Sequence, residues 1–175
     1  LQRLHIDIYH GLSNELPAGI RRTGAKSVVT IHDLIFERYP KQYNPIDVRI
    51  YRQKYKYACR VANRVIAISQ QTKADLVQFY GVPPEKIDVC YQSCNPLFEK
   101  EATREEKEAV RRRYGLPQRY FLSVGSLIER KNLLTVCKAM QLLKGKTDIP
   151  LVVVGDGRDY KKKIKHFLAE GGLTD

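Results

Sequence analysis

Short runs of β-branched and other apolar residues recur along this chain, each giving way to small or polar residues before a segment with helical spacing. The runs are Ile6 to His10, Ser27 to Ile31, Arg64 to Ile68, Ile87 to Tyr91, Phe121 to Val124 and Pro150 to Val154. Runs that are apolar nearly throughout suit strands covered on both faces, and parallel strands need a long crossover between them. The intervening segments supply that length. One helix is predicted from about Ile46 to Val61, with Tyr51, Tyr55 and Ala58 near one face. Another is opened by Ser69 as N-cap and closed at Gly81, beyond which Val82-Pro83-Pro84 enforces a stop. The expected class is α/β with parallel sheets, each strand pair separated by a helix.

In sheets of this kind ligands bind at the carboxyl ends of the strands. His10 and His32 both fall where a strand gives way to a loop. A single histidine there commonly serves only as a structural hydrogen bonder. Two in equivalent places make candidate functional residues.

From Gln92 to Lys100 the alternation stops, and Cys94-Asn95-Pro96-Leu97-Phe98 fits neither strand nor helix. Thr103 and Glu106 then have capping-box spacing, opening a helix that holds Arg111-Arg112-Arg113 and closes at Gly115-Leu116-Pro117. The expected division is one Rossmann-like portion over 1–95, a linker and capping helix over 96–118, and the first part of a second such portion over 119–175. That second portion supplies only two strands, so it is expected to be incomplete or to borrow contacts from the first.

The stretch YFLSVGSLIERKN, Tyr120 to Asn132, changes character in the way phosphate binding requires. A buried-type strand ends in Gly125-Ser126, and Arg130-Lys131 stand before a helix-spaced set at Leu133, Val136, Cys137 and Met140. A tight turn and a helix start leave backbone N–H groups free to face an anion, and adjacent fixed cations raise the affinity. Solvated surface cations would look the same in isolation. The strand over Pro150 to Val154 ends in Gly155-Asp156-Gly157, a second turn expected on the same sheet edge, before a helix with Tyr160, Ile164, Phe167 and Leu168 on one side and Gly171-Gly172 at its end. There is no G-x-x-x-x-G-K-[ST] run, no G-x-G-x-x-G run and no G-x-S-x-G elbow, which removes P-loop, dinucleotide and serine-hydrolase fingerprints.

Lys and Arg exceed Asp and Glu by twelve, an excess that points to an anionic partner such as nucleic acid, a membrane surface or a phosphorylated small molecule. Much of it lies in the arginine run and in Lys161-Lys162-Lys163-Lys165, where a solvated helix face is an equally good account. No run of about 18 apolar residues is present, and the start LQRLHIDIYH has neither the charged head nor the cleavage site of a signal peptide, so a cytoplasmic protein is expected. Cys59, Cys90, Cys94 and Cys137 sit among apolar neighbours without C-x-x-C spacing; they are expected to be buried, reduced and metal-free.

The ordered set DIYHGLSNELP, VVTIHDL, RVIAISQQTKADLVQFYGVPPEKIDV, NPLF, FLSVGSLIERKNL and LVVVGDG resembles the retaining glycosyltransferases of family four, over nearly the whole chain and in the family's order. The resemblance implies a GT-B fold, with two Rossmann-like domains facing each other across a cleft, the acceptor mostly on the first and the nucleotide-sugar donor mostly on the second. It implies sugar transfer with retained anomeric configuration, no cofactor and no obligatory metal. Arg130 and Lys131 match cations that bind the donor diphosphate, Gly125 with Ser126 and Gly155-Asp156-Gly157 match the donor-side turns, and His10 matches a residue at the reaction centre. His32, the second catalytic candidate, matches the T-x-H-D position near the acceptor side, with Asp33 beside it and Asn14 closing the H-x-x-x-N-like segment as acceptor-side residues.

The partners so implied are a nucleotide-sugar and a saccharide or lipid-linked saccharide acceptor, in cell-surface polysaccharide or glycolipid synthesis, with peripheral contact to an anionic membrane and no nucleic acid. Some family features differ. Ser126 stands where many members have arginine, and Tyr91-Gln92-Ser93-Cys94-Asn95 replaces the common P-N-G-V-D segment. The family's glycine-rich first turn is expected ahead of Leu1 and its paired glutamates after Asp175, so the chain resembles the middle of a longer enzyme and is not expected to turn over alone. A basic nucleic-acid-binding module and a non-catalytic nucleotide-binding protein are the alternatives.

Overall fold

The apolar runs form strands, and every strand pairing is parallel. In the computed structural model, which describes residues 5–173, the chain divides into two compact units, Leu1–Asn95 and Pro96–Asp175. The head of the stretch read for a leader, residues 1–4, and Thr174-Asp175 lie outside the described residues.

The first unit holds β1 (Ile8–Gly11), β2 (Lys26–Ile31), α1 (Ile35–Arg38), α2 (Pro45–Val61), β3 (Arg64–Ala67), α3 (Gln70–Tyr80) and β4 (Ile87–Val89), with the strands in the order β1-β2-β3-β4. Val29 and Ile31 of β2 and Val65 and Ala67 of β3 are fully buried, and they pack with Leu34, Ala58, Cys59 and Leu76. Local chemistry sets the helix limits. The Asn44 side chain accepts from the Ile46 N–H, and Pro45 occupies the first turn of α2, where its missing donor costs nothing. The Ser69 side chain accepts from the Thr72 N–H, and α3 ends at Gly81 in the left-handed region (φ 62°). Phe36 of α1 is buried against the edges of Tyr51 and Tyr55, which places the aromatic face of α2.

Two expectations need correction. The β1–β2 crossover is not an α-helix; a four-residue 3-10 turn, Ile20–Thr23, lies between these strands, anchored by the buried Ile20. β4 stops at Val89 rather than Tyr91, because its neighbour β3 ends at Ala67, whose carbonyl accepts the Cys90 N–H (2.9 Å).

The second unit holds α4 (Arg104–Tyr114), β5 (Phe121–Val124), α5 (Leu133–Leu143), β6 (Leu151–Val154) and α6 (Asp159–Glu170). The capping box forms: the Thr103 hydroxyl accepts from the Glu106 N–H and the Glu106 carboxylate from the Thr103 N–H. β5 and β6 pair from Phe121 with Leu151 to Val124 with Val154. A small core of Leu127, Leu133, Cys137, Tyr160 and Ile164 covers one side of them. Val136, predicted on the same helix face, lies at its flank and is exposed. Leu122, Val124 and Val154 are 57%, 71% and 52% exposed, so this two-stranded sheet leaves much of its apolar surface uncovered. Every residue from Cys90 through Lys107 is exposed. Cys59 and Cys137 are buried, but Cys90 and Cys94 are not, because both lie past the end of β4, where Tyr91, Leu97 and Phe98 are themselves exposed.

Candidate functional site

Each unit gathers candidate residues at the carboxyl ends of its strands. In the first, the chain turns tightly after β1: a side chain at the buried Gly11 would collide with the carbonyl oxygen of Glu15. Asn14 then adopts the left-handed conformation (φ 63°), donates its N–H to the Thr30 carbonyl (2.9 Å) and accepts the His32 N–H on Oδ1 (2.8 Å). An asparagine is among the few residues that tolerate this backbone, and here its side chain completes the bridge from β1 to the end of β2.

The two histidines are held differently. Nε2 of His10 lies 2.8 Å from the Thr30 hydroxyl, which fixes the ring orientation. Nε2 of His32 lies 2.9 Å from the Leu12 carbonyl. A carbonyl can only accept, so that nitrogen carries the proton and Nδ1 is the nitrogen left for a ligand when the ring is neutral. The Thr72 hydroxyl of α3 donates to the His32 carbonyl (3.0 Å). Asp33 Oδ1 accepts the Ile35 N–H (3.1 Å) and so holds the entry to α1. His10, Asn14, His32 and Asp33 are thus brought together at one strand edge.

In the second unit the turns after β5 and β6 are packed backbone on backbone. The Gly125 N–H donates to the Val154 carbonyl (2.9 Å) and the Leu127 N–H to the Asp156 carbonyl (2.8 Å). A side chain at Gly155 would run into the Gly125 carbonyl oxygen, and one at Gly157 into that of Leu127. These glycines permit close approach as well as a turn. Asp156 accepts from Lys161 Nζ (2.7 Å) and from the Gly157 N–H (2.9 Å), and the two bonds hold its carboxyl below the usual carboxylate range.

Arg130 and Lys131 do not stand on the first turn of α5. They lie on a 3-10 turn, Glu129–Lys131, separated from α5 by the left-handed Asn132 (φ 53°). The mouth of α5 is partly closed, since the Leu134 N–H donates to the Tyr160 hydroxyl (2.9 Å) and the Thr135 N–H to the Asn132 carbonyl (3.1 Å). Glu129 is engaged by Lys163 (2.8 Å). Arg130 and Lys131 are exposed and have no carboxylate partner among the described residues. The result is a pair of tight glycine turns packed on each other, the first of them followed by two uncompensated cations.

No group of three or more His, Cys, Asp and Glu side chains able to hold a metal ion occurs among the described residues. Among them, too, no helix is long and apolar enough to cross a membrane.

Residues 1–96 match the family model described as Glycosyltransferase Family 4, and residues 105–175 match that of the glycosyl transferases group 1. The chain belongs to glycosyltransferase family 4. O-antigen chain mannosyltransferase B of Escherichia coli is 25% identical to this family 4 chain over 171 residues, covering 96% of it and 43% of that protein. O-antigen chain mannosyltransferase RfbU of Salmonella typhimurium is 25% identical over 147 residues, with 84% and 37% covered. Among solved structures, a glycosyltransferase from Rickettsia africae aligns with a TM-score of 0.70 at 21% identity, over 98% of this chain and 45% of that one. HepE of Anabaena, solved in complex with UDP and glucose, aligns with a TM-score of 0.69 at 20% identity, over 89% and 41%. The parallel α/β fold is that of GT-B glycosyltransferases. The chain spans less than half the length of each of these proteins.

Sequence reasoning missed Thr30, Thr72 and Tyr160. Thr30 lies near the end of β2, two residues before His32, a signal that was present. Thr72 lies 40 residues from His32, and Tyr160 lies 26 from Leu134, so no local pattern announces either contact.

Proposed function

We propose that this chain serves a glycosyltransferase that moves a sugar from a nucleotide-sugar donor to a saccharide or lipid-linked saccharide acceptor. Transfer proceeds with retention of anomeric configuration and without an obligatory metal, in cytoplasmic, membrane-peripheral synthesis of cell-surface polysaccharide or glycolipid. The observation that carries this reading is the pair of packed glycine turns, after β5 and after β6, with uncompensated Arg130 and Lys131 following the first of them. Relatives named as O-antigen mannosyltransferases support the saccharide acceptor, and the UDP complex of HepE supports the nucleotide diphosphate.

Glycosyl transfer breaks the bond between the anomeric carbon and a phosphate oxygen, so negative charge grows on the departing diphosphate. Arg130 and Lys131 meet that charge in place of a metal, and exposed backbone at the glycine turns lets phosphate oxygens approach closely. His10, its ring set by Thr30, serves turnover in the intact enzyme and contributes little to nucleotide binding. Removing Lys131 deletes a charge-assisted hydrogen bond worth about 1.5 to 3 kcal/mol, or roughly a ten- to hundredfold loss of affinity. Titration of the parent chain and Lys131→Ala with UDP and GDP tests this, with duplex DNA titrated across salt concentrations as the comparison. Binding of neither diphosphate by the parent, equal affinities for parent and variant, or a preference for DNA that collapses with salt overturns the reading.

A further inference from the structure

A cleft of about 600 Å³ opens in the first unit at the amino ends of β3 and β4, the sheet edge opposite His10 and His32. Its walls come from the second half of α2, the end of α3 and the 3-10 turn Pro84–Lys86 that leads into β4. Lys56, Arg60 and Lys86 line it, and no acid does. Tyr57, Val82 and Pro83 supply an apolar wall.

Cations without a carboxylate partner also occur on α4 and α6, as Arg104, Arg112, Arg113 and Lys165, so the lack of a partner singles out nothing by itself. Concavity and burial do. Lys86 is half-buried, and its Nζ donates to the Cys59 carbonyl (2.7 Å) and the Arg60 carbonyl (3.2 Å). Burial pushes this amine below the ordinary lysine value, and Arg21 nearby adds to the shift. Arg21 itself donates to the Arg60 carbonyl (2.9 Å) and the Val61 carbonyl (3.4 Å).

Capping of α2 accounts for Arg21 and Lys86, since carbonyls at a helix end attract cations. It does not account for Lys56 and Arg60, which stand on the helix itself. The Arg60 guanidinium makes no hydrogen bond or ion pair among the described residues. Lys56 Nζ lies 5.4 Å from the centre of the Tyr80 ring, a contact that holds the ammonium at the cleft wall without cancelling its charge. Glu37, whose carboxyl feels Lys56, is already bonded by Arg52 and Tyr80. On the apolar side, the Tyr57 hydroxyl accepts the Gly19 N–H (3.1 Å) and donates to the Pro17 carbonyl (3.3 Å), which fixes its ring from the far end. The cleft therefore joins three charges that lack a counterion to a wall that is already rigid.

We propose that this cleft binds a phosphomonoester carried on a planar ring, with the phosphate met by Lys56, Arg60 and Lys86 and the ring lying against Tyr57 and Pro83. A phosphomonoester carries nearly two negative charges at neutral pH and three acceptor oxygens. Arg60 can meet it with two parallel N–H donors, and Lys86 has one donor left after its two carbonyls. Inorganic phosphate uses only the cations, and an uncharged ring only the wall. The inference goes beyond the sugar transfer proposed above and does not rest on it, because the glycine turns with Arg130 and Lys131 belong to the second unit.

The experiment is titration of the chain with p-nitrophenyl phosphate, followed by amide shifts in proton–nitrogen correlation spectra at an ionic strength of about 0.15 M, where exposed charges are well screened. The amides of Gly81, Val82 and Lys86 should shift on saturation. Inorganic phosphate and p-nitrophenol should each bind at least about tenfold more weakly. Arg60→Gln should weaken the ester by about tenfold or more, and Lys56→Gln with Arg60→Gln by about a hundredfold. Both side chains are exposed, so far-UV circular dichroism should match the parent. Lys162→Gln with Lys165→Gln on α6, and Lys131→Ala, should leave the cleft shifts unchanged. Absence of shifts at Gly81, Val82 and Lys86, parental affinity in the double variant, equal loss in the α6 variant, or inorganic phosphate binding as tightly as the ester overturns the proposal. Because Gly125 and Leu127 are read in the same spectra, an empty cleft is distinguished from a failed donor site.

Discussion

Gly157→Ala perturbs the second unit at a single methyl group. A Cβ at this position meets the carbonyl oxygen, carbonyl carbon and Cβ of Leu127, none of which is the free end of a flexible side chain. The turn after β6 must then move away from the turn after β5, stretching the bond from the Leu127 N–H to the Asp156 carbonyl and, beyond it, that from Gly125 to Val154. Overpacking of a fixed contact costs about 1 to 3 kcal/mol. Among the described residues the unit has a core of five buried side chains to absorb that strain, so the loss should appear as local opening. Hydrogen exchange reads it directly. The amides of Gly125 and Leu127 should exchange about 5- to 150-fold faster in the variant, the range that corresponds to that cost, while amides of β2 and β3 are unaffected. UDP affinity should fall in the same variant. Parental protection at Gly125 and Leu127 would show that the two turns do not rest on one another, and the phosphate cradle built on them would go with it.

Asp75 is 3% exposed and accepts two bonds from Arg38 Nε at 3.0 Å and one from Gln71 Nε2. Asp75→Ala should therefore cost about 2 to 4 kcal/mol in urea unfolding, and a midpoint equal to the parent's would refute a structural role for this pair. Bonds from Arg52 and Tyr80 hold the Glu37 carboxyl below its ordinary value of 4.5. That stabilisation is complete above the ordinary value and is lost as pH falls through the lower folded one. Arg52→Gln should therefore flatten the acid limb of a stability profile measured from about pH 6 to about pH 3, and an unchanged limb would argue against the linkage. Burial pushes the Cys59 thiol up to about 12 and also raises that of Cys137, whereas Cys90 is exposed. Iodoacetamide followed by peptide mass mapping should label Cys90 well before Cys59 or Cys137, and the reverse order would contradict the packing.

What could be read from the sequence was what depends on near neighbours. Ser69 and Gly81 bound α3, and Thr103 with Glu106 opens α4, because a cap involves residues only a few positions apart. The parallel α/β class followed from apolar runs at crossover spacing. The β1–β2 connection was misjudged because a buried Ile20 on a 3-10 turn can serve where a helix was expected. At the candidate site, the glycines and cations were visible as residue types, but their geometry was not. That Gly155 and Gly157 are needed for contact with Gly125 and Leu127 depends on the register of β5 against β6, which no local pattern encodes. The placement of Arg130 and Lys131 ahead of α5 likewise depends on Asn132 taking a left-handed backbone and on Tyr160 reaching back to cap Leu134.

The continuous exposure of Cys90 through Lys107 has a consequence for how such chains can be recombined. A crossover placed anywhere in that stretch divides no apolar cluster, since the core of the first unit ends with Ile87 and that of the second begins with Leu127. Two related sequences exchanged there ahead of Thr103 would each keep whole cores, whole sheets and the intact capping box of α4. Chimeras joined between Gln92 and Thr103 should accordingly express as folded protein, each half bringing its own ligand preference, whereas junctions inside β2–α2 or β5–α5 should yield insoluble chains.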